Sequence, residues 1–91
     1  MILQDGILDA LADDDESIIQ IEKYLKYLKI KADRDEIIIE LSHNLKEGLI
    51  AINYPPEVTG QNKLNSANIE DYWFGLTNKG QNKWERLKCK L

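Results

Sequence analysis

Glu47-Gly48-Leu49-Ile50-Ala51-Ile52-Asn53-Tyr54 and, further along the chain, Tyr72-Trp73-Phe74-Gly75-Leu76-Thr77-Asn78-Lys79-Gly80 are the stretches that decide how this sequence folds. The first ends a helix at a glycine suited to the left-handed position after a C-cap, then enters an apolar strand that Pro55-Pro56 closes. The second is an aromatic strand in which Tyr72, Phe74 and Leu76 alternate with Trp73, Gly75 and Thr77, and Thr77 is a good N-cap hydroxyl for a helix beyond it. Together they predict two paired strands, over 49–54 and 72–77, set between helices. Residues 55–71 hold both prolines, Gly60 and the polar amides Gln61, Asn62, Asn65 and Asn68, which predicts a long, mobile loop at the tip of the hairpin.

Upstream, the periodicity is helical. Asp33 followed by Glu36 imitates a capping box and opens a helix over 34–47, with Ile38, Leu41 and Leu45 as its buried seam. Ile18, Ile21, Leu25 and Leu28 share one stripe and predict a helix over 16–29. Ile7, Leu8 and Leu11 predict another over 2–12. The run Asp13-Asp14-Asp15-Glu16-Ser17 reads as caps and dipole-compensating charge before the second of these helices; it lacks the central glycine and spaced oxygens of a calcium loop. Downstream, Trp84, Leu87 and Leu91 keep helical spacing among lysines and predict a last helix over 79–90. The whole, residues 1–91, reads as one mainly helical α+β domain, because a chain of this size supports a single core.

Composition narrows the function. Hydrophobic residues make up 43% and charged residues 31%, an ordinary globular balance. No apolar run spans a bilayer, and Met1-Ile2-Leu3-Gln4-Asp5 lacks the basic lead of a signal peptide, so a cytoplasmic location is expected. The lone Cys89 has no partner for a disulfide or a CxxC metal pair and reads as a spare thiol. The net charge of -4 hides a split: residues 1–22 carry seven acidic groups and no Lys or Arg, whereas the remaining 69 residues set all 12 basic groups against 9 acidic ones. An acidic total therefore does not exclude a polyanion partner, because fields act within about a Debye length, roughly 8 to 10 Å.

Catalytic signatures are missing. His43 is the only histidine, and its neighbour Ser42 points about 100 degrees away on a helix, so the two form no dyad. The five glycines occur singly, without phosphate-loop spacing. Trp73 and Trp84 read as two tryptophans sharing a small core rather than as a ligand pocket. No enzyme, cofactor, metal or small-molecule ligand is expected.

The order helix, helix, helix, strand, long loop, strand, helix, with Gly48-Leu49-Ile50 closing the third helix and Leu76-Thr77-Asn78-Lys79-Gly80 closing the hairpin, resembles winged helix-turn-helix regulators, in particular small transcription factors of the PadR and MarR type. The resemblance covers nearly the whole chain. One departure is that Leu45 lies three residues before Gly48 where four is usual, implying a tightened helix end or a shifted register. The resemblance implies double-stranded DNA as partner, the third helix in the major groove, the wing on the minor groove or backbone, and a dimer on a palindromic site.

The charges of the third helix oppose that implication. With the seam inward, Glu36, Glu40, His43 and Glu47 form the outer stripe, and only Arg34, Asn44 and Lys46 on its flanks offer donors. Lys63 is the single basic residue of the wing loop. A basic surface lies elsewhere, in Lys23, Lys26, Lys29, Lys31 and Arg34 and again on the last helix; lysine-rich faces of this kind commonly serve only solubility. Two readings stand. If DNA is bound, Arg34, Asn44, Lys46 and Lys63 are the candidate contacts near helix and wing, with Lys26, Lys29 and Lys31 on the backbone. If a protein is bound, Ile39 is the apolar anchor, joined by Ile37 or a wing aromatic and rimmed by Glu36, Glu40 and Lys46, with His43 as a further candidate contact.

Overall fold

A computed structural model describes residues 2–59 and 64–89. Four helices, α1 (Leu3–Ala10), α2 (Ile18–Tyr27), α3 (Arg34–Lys46) and α4 (Asn78–Cys89), surround a hairpin of β1 (Ile50–Tyr54) and β2 (Trp73–Leu76). The short helix α1 lies at the centre and packs on α2, α3 and α4. Its Ile7 and Leu8, with the following Leu11, meet Ile18, Ile21 and Leu25 of α2, Ile37, Leu41 and Leu45 of α3 and the hairpin's Ile50, Ile52 and Phe74 in one core. Burying such aliphatic and aromatic side chains stabilises the fold by about 1.5 to 3 kcal/mol each before entropy is set against it. The radius of gyration, 12.1 Å, is that of a single globule of this length, for which about 12 Å is expected.

The strands run antiparallel with Ile50 opposite Leu76, Ala51 opposite Gly75 and Ile52 opposite Phe74; an irregularity follows before Tyr54 meets Trp73. Glu16 adds a third strand position. Its N–H donates to the Phe74 carbonyl and its carbonyl accepts from the Phe74 N–H, at 3.0 and 2.9 Å. The acidic run is thus more than a cap: Asp15 accepts from the Asn53 side-chain amide, Glu16 joins the sheet, and Ser17 is the N-cap of α2 in a capping box with Gln20.

The end of α3 is closed by residues far along the chain. Gly48 adopts φ 74°, its N–H donates to the Leu45 carbonyl and the Leu49 N–H to the Asn44 carbonyl, a Schellman ending. Leu45 standing three residues before the glycine corresponds to this tightened last turn. The Glu47 carbonyl then accepts from Lys79 Nζ, and the Gly48 carbonyl accepts from the Thr77 hydroxyl. Thr77 also caps α4, accepting from the Gly80 N–H at 3.1 Å.

Four expectations are corrected. The seam of α3 runs through Ile37, Leu41, Asn44 and Leu45, while Ile38 is half-buried; Ile37 and Ile38 both keep helical spacing to Leu41 and Leu45, and packing against α1 selects the former. The segment after β1 is not a bare loop: 3-10 turns form at Pro56–Val58 and Ser66–Asp71. Ile69 is buried there, and the Tyr72 hydroxyl accepts from the Asn65 N–H. The tryptophans do not share the core, since Trp73 is exposed on the hairpin while Trp84 of α4 is half-buried and donates to Asp9. The last correction concerns Asn44, which is buried rather than displayed on the flank of α3.

Candidate nucleic-acid interface

The segment between α2 and α3 is built by two unlike caps. At the end of α2 the Ile30 N–H donates to the Leu25 carbonyl and the Lys29 N–H to the Lys26 carbonyl, again a Schellman ending, but the left-handed residue is Lys29, at φ 61°. A side chain in this region costs on the order of 1 kcal/mol relative to glycine. At the start of α3 the Asp33 carboxylate accepts from the Glu36 N–H at 2.8 Å and the Glu36 carboxylate from the Asp33 N–H at 3.1 Å, the expected capping box.

These caps hold Lys26, Lys29 and Lys31 around one shallow depression, with Ile30 and Ala32 as its apolar floor. All three lysines are exposed, and none takes part in an ion pair among the described residues. Three of the residues singled out in the sequence for a phosphate backbone are thus brought together. Lys46, on the last turn of α3, is likewise exposed and free of an ion pair among the described residues.

Other candidates are placed differently. Arg34 is spent inside the domain: its Nη2 and Nε hold both oxygens of Glu22 at 2.6 and 3.2 Å, and Nη1 lies 3.6 Å from Glu70. The hydrogen bond to Glu22, more than any other influence, raises the guanidinium pKa further. Asn44 is fully buried and points into the core, where its Oδ1 accepts from Gln4 Nε2 at 2.8 Å; it does not flank the outer stripe, because the seam runs through it. Lys63 lies outside the described residues.

With Asn44 inward, the outer face of α3 turns so that Ile39, His43 and Lys46 form its midline. Ile39 is 70% exposed. Ile37 is buried and cannot join it in a patch. Asp35, Glu36 and Glu47 are exposed around it and Glu40 is half-buried; His43 sits 3.2 Å from Glu47. An aromatic surface lies on α2, where Tyr27 is 77% exposed beside Tyr24, the ring centroids 5.8 Å apart. Among the described residues no three His, Cys, Asp or Glu side chains converge on a metal position, and no helix is long and apolar enough to cross a membrane.

No protein-family model matches the chain, and comparison with curated proteins finds no match. Among solved structures, the chain is similar to a PadR-like transcription factor from Bacteroides fragilis, with a TM-score of 0.72 and 15% sequence identity over 97% of this chain and 78% of the other. The fold is a winged helix-turn-helix, as in that structure. In its terms α2 and α3 are the helix-turn-helix pair, the hairpin is the wing, Glu16 supplies the short strand ahead of α2, and α4 is the helix that follows the wing. The helix pair is joined by the lysine-lined turn. Two features of this site left little trace in the sequence: Lys29 occupies a position that glycine usually marks, and only the spacing of Leu25 and Ile30 could have signalled the helix end. Asn44 looked like a surface residue because polar side chains seldom occupy a helix seam.

Proposed function

We propose that this winged helix-turn-helix domain is a non-enzymatic, cytoplasmic DNA-binding module of a transcriptional regulator, acting as a dimer on double-stranded DNA. The observation that carries the reading is the cluster of Lys26, Lys29 and Lys31 at the turn of the helix pair, exposed and without ion-pair partners among the described residues. The likeness to a PadR-like transcription factor supports it. Lysines without intramolecular partners can release condensed counterions on meeting phosphates, the main source of sequence-independent affinity. Lys46, exposed on the last turn of α3, is the candidate there for a base edge or phosphate, and Lys63 remains a wing candidate. Arg34 would have to leave Glu22 and Glu70 to take part.

The test is a fluorescence-anisotropy titration with random and promoter-derived duplexes from low salt to about 0.2 M. The expected result is a steep fall of log affinity with log salt. In Lys26→Ala, Lys29→Ala and Lys31→Ala the slope should shrink by roughly 0.9 for each phosphate that is no longer neutralised. Absence of binding at low salt, or slopes indifferent to all three substitutions, would overturn it.

The exposed Ile39 supports a second reading, a protein-docking role for α3. An exposed isoleucine on the midline of a helix face, with Asp35, Glu36 and Glu40 close to it along the helix, has the form of an apolar anchor with a charged rim.

A further inference from the structure

Two polar chains link helix α4 to the helix pair, beside the packing of Trp84 and Leu87 against the core. Gly80 is the one buried residue of α4 among those described, with Trp84 and Leu87 half-buried. Two neighbouring side chains of α4 each reach the pair through one residue of α1. Lys83 Nζ donates to Gln4 Oε1 at 3.1 Å, and Gln4 Nε2 donates to Asn44 Oδ1 of α3 at 2.8 Å. Trp84 Nε1 donates to Asp9 Oδ1 at 2.8 Å, and Asp9 Oδ2 accepts from the Tyr24 hydroxyl of α2 at 2.5 Å.

The first of these chains has a direction. An ammonium group has donors and no acceptor. Gln4 must therefore show Lys83 its oxygen and turn its amide nitrogen inward, and Asn44 must meet that nitrogen with its own oxygen. The consequence is visible in the core: Asn44 Nδ2 is buried without a hydrogen-bond partner, a costly arrangement that native interiors mostly avoid.

We propose that Gln4 is a hydrogen-bond relay through which the docking of α4 sets the orientation of the Asn44 side chain and, with it, the packing of the last turns of α3. When Lys83 withdraws, Gln4 is free to turn its amide over, and Asn44 can then donate through Nδ2 to Gln4 Oε1. The two arrangements use the same residues, and α4 selects between them. The Asn44 main-chain carbonyl accepts from the Leu49 N–H where the chain leaves α3 for the wing, so the affected turn borders both recognition elements of the fold. A ligand or partner that lifts α4 would change α3 without touching it. The relay rests on hydrogen bonds alone and stands whether or not the domain binds DNA.

The test compares the full chain with Lys83→Met, Lys83→Arg and, as a charge control on the same helix, Arg86→Met. It uses 1H–15N spectra of the side-chain amides and native-state amide exchange. Lys83→Met should move the Asn44 and Gln4 side-chain amide resonances and speed exchange over Leu41–Leu45 by roughly tenfold relative to the hairpin. Lys83→Arg keeps a donor and should stay close to the parent, as should Arg86→Met. In a Gln4→Met background, Lys83→Met should have no further effect on Asn44. Unmoved Asn44 signals in Lys83→Met, or an equal shift with Gln4 already removed, would overturn the relay.

Discussion

The backbone of Gly80 rests so closely on the carbonyl of Leu49 that a Cβ at position 80 would overlap that oxygen. Backbone cannot swing aside as a side-chain tip can. Gly80→Ala must push the first turn of α4 off the start of β1, and thermal or urea unfolding should show a loss of more than about 2 kcal/mol. Gly48→Ala meets no atom within 4 Å and suffers only its positive φ, so its loss should stay near 1 kcal/mol, on the order expected for a left-handed alanine. Equal losses would refute this account of the two glycines.

Lys29 separates stability from binding. Its backbone is left-handed at φ 61°, so Lys29→Gly should raise stability by up to about 1 kcal/mol, measured from the urea midpoint at constant m-value. On the DNA reading the same variant should bind duplexes more weakly with a shallower salt slope. A variant that loses both stability and affinity would contradict the cap assignment.

The Tyr24 hydroxyl gives a signature in alkali. Its hydrogen bond to Asp9, then burial and the nearby charge of Asp9, push its pKa up from 10.0 to about 12. Folding therefore favours the protonated phenol. That stability is fully present below about pH 10 and is lost as the pH rises through about 12. The stability difference between the parent and Tyr24→Phe should be constant from about pH 7 to 9 and shrink above about pH 10. A difference that stays flat throughout this range would mean that the Asp9 hydrogen bond does not hold in solution.

Ile39 can be changed without touching the core. At 70% exposure, Ile39→Asp should alter the unfolding free energy by no more than about 0.5 kcal/mol. On the protein-docking reading it should abolish association with a partner at unchanged melting temperature. A large loss of stability would show that Ile39 is packed in solution.

The legible parts of this fold were those written as local grammar. Gly48, Thr77 and the Asp33–Glu36 pair each perform a chemical task that few other residues can, and each occupies the cap its type suggests. Ile37 and Ile38 were harder, because adjacent aliphatics both satisfy a 3.6-residue period and only the packing of α1 against α3 chooses between them. Asn44 and Glu16 were illegible for a related reason: one spends its polarity on Gln4 and the other pairs its backbone with Phe74, partners far away in sequence. Of the site, the lysines could be counted in advance. Their convergence on one depression, and the commitment of Arg34 to Glu22 and Glu70, depended on tertiary geometry.

The closure of α3 from across the chain also sets an order of events during synthesis. The carbonyls of Glu47 and Gly48 find their donors in Lys79 and Thr77, and the Leu49 carbonyl accepts from the Thr77 N–H. A nascent chain that has emerged only as far as the first strand can close the end of α3 with its local Schellman bonds, but the Glu47 and Gly48 carbonyls still face water. Those two carbonyls meet their donors only after roughly thirty further residues have left the ribosome, a delay of roughly 2 to 6 seconds at usual elongation rates. During that interval the apolar faces of three helices await the strand and helix that cover them, and the ribosome's pace, rather than the speed of helix formation, governs when this domain becomes whole.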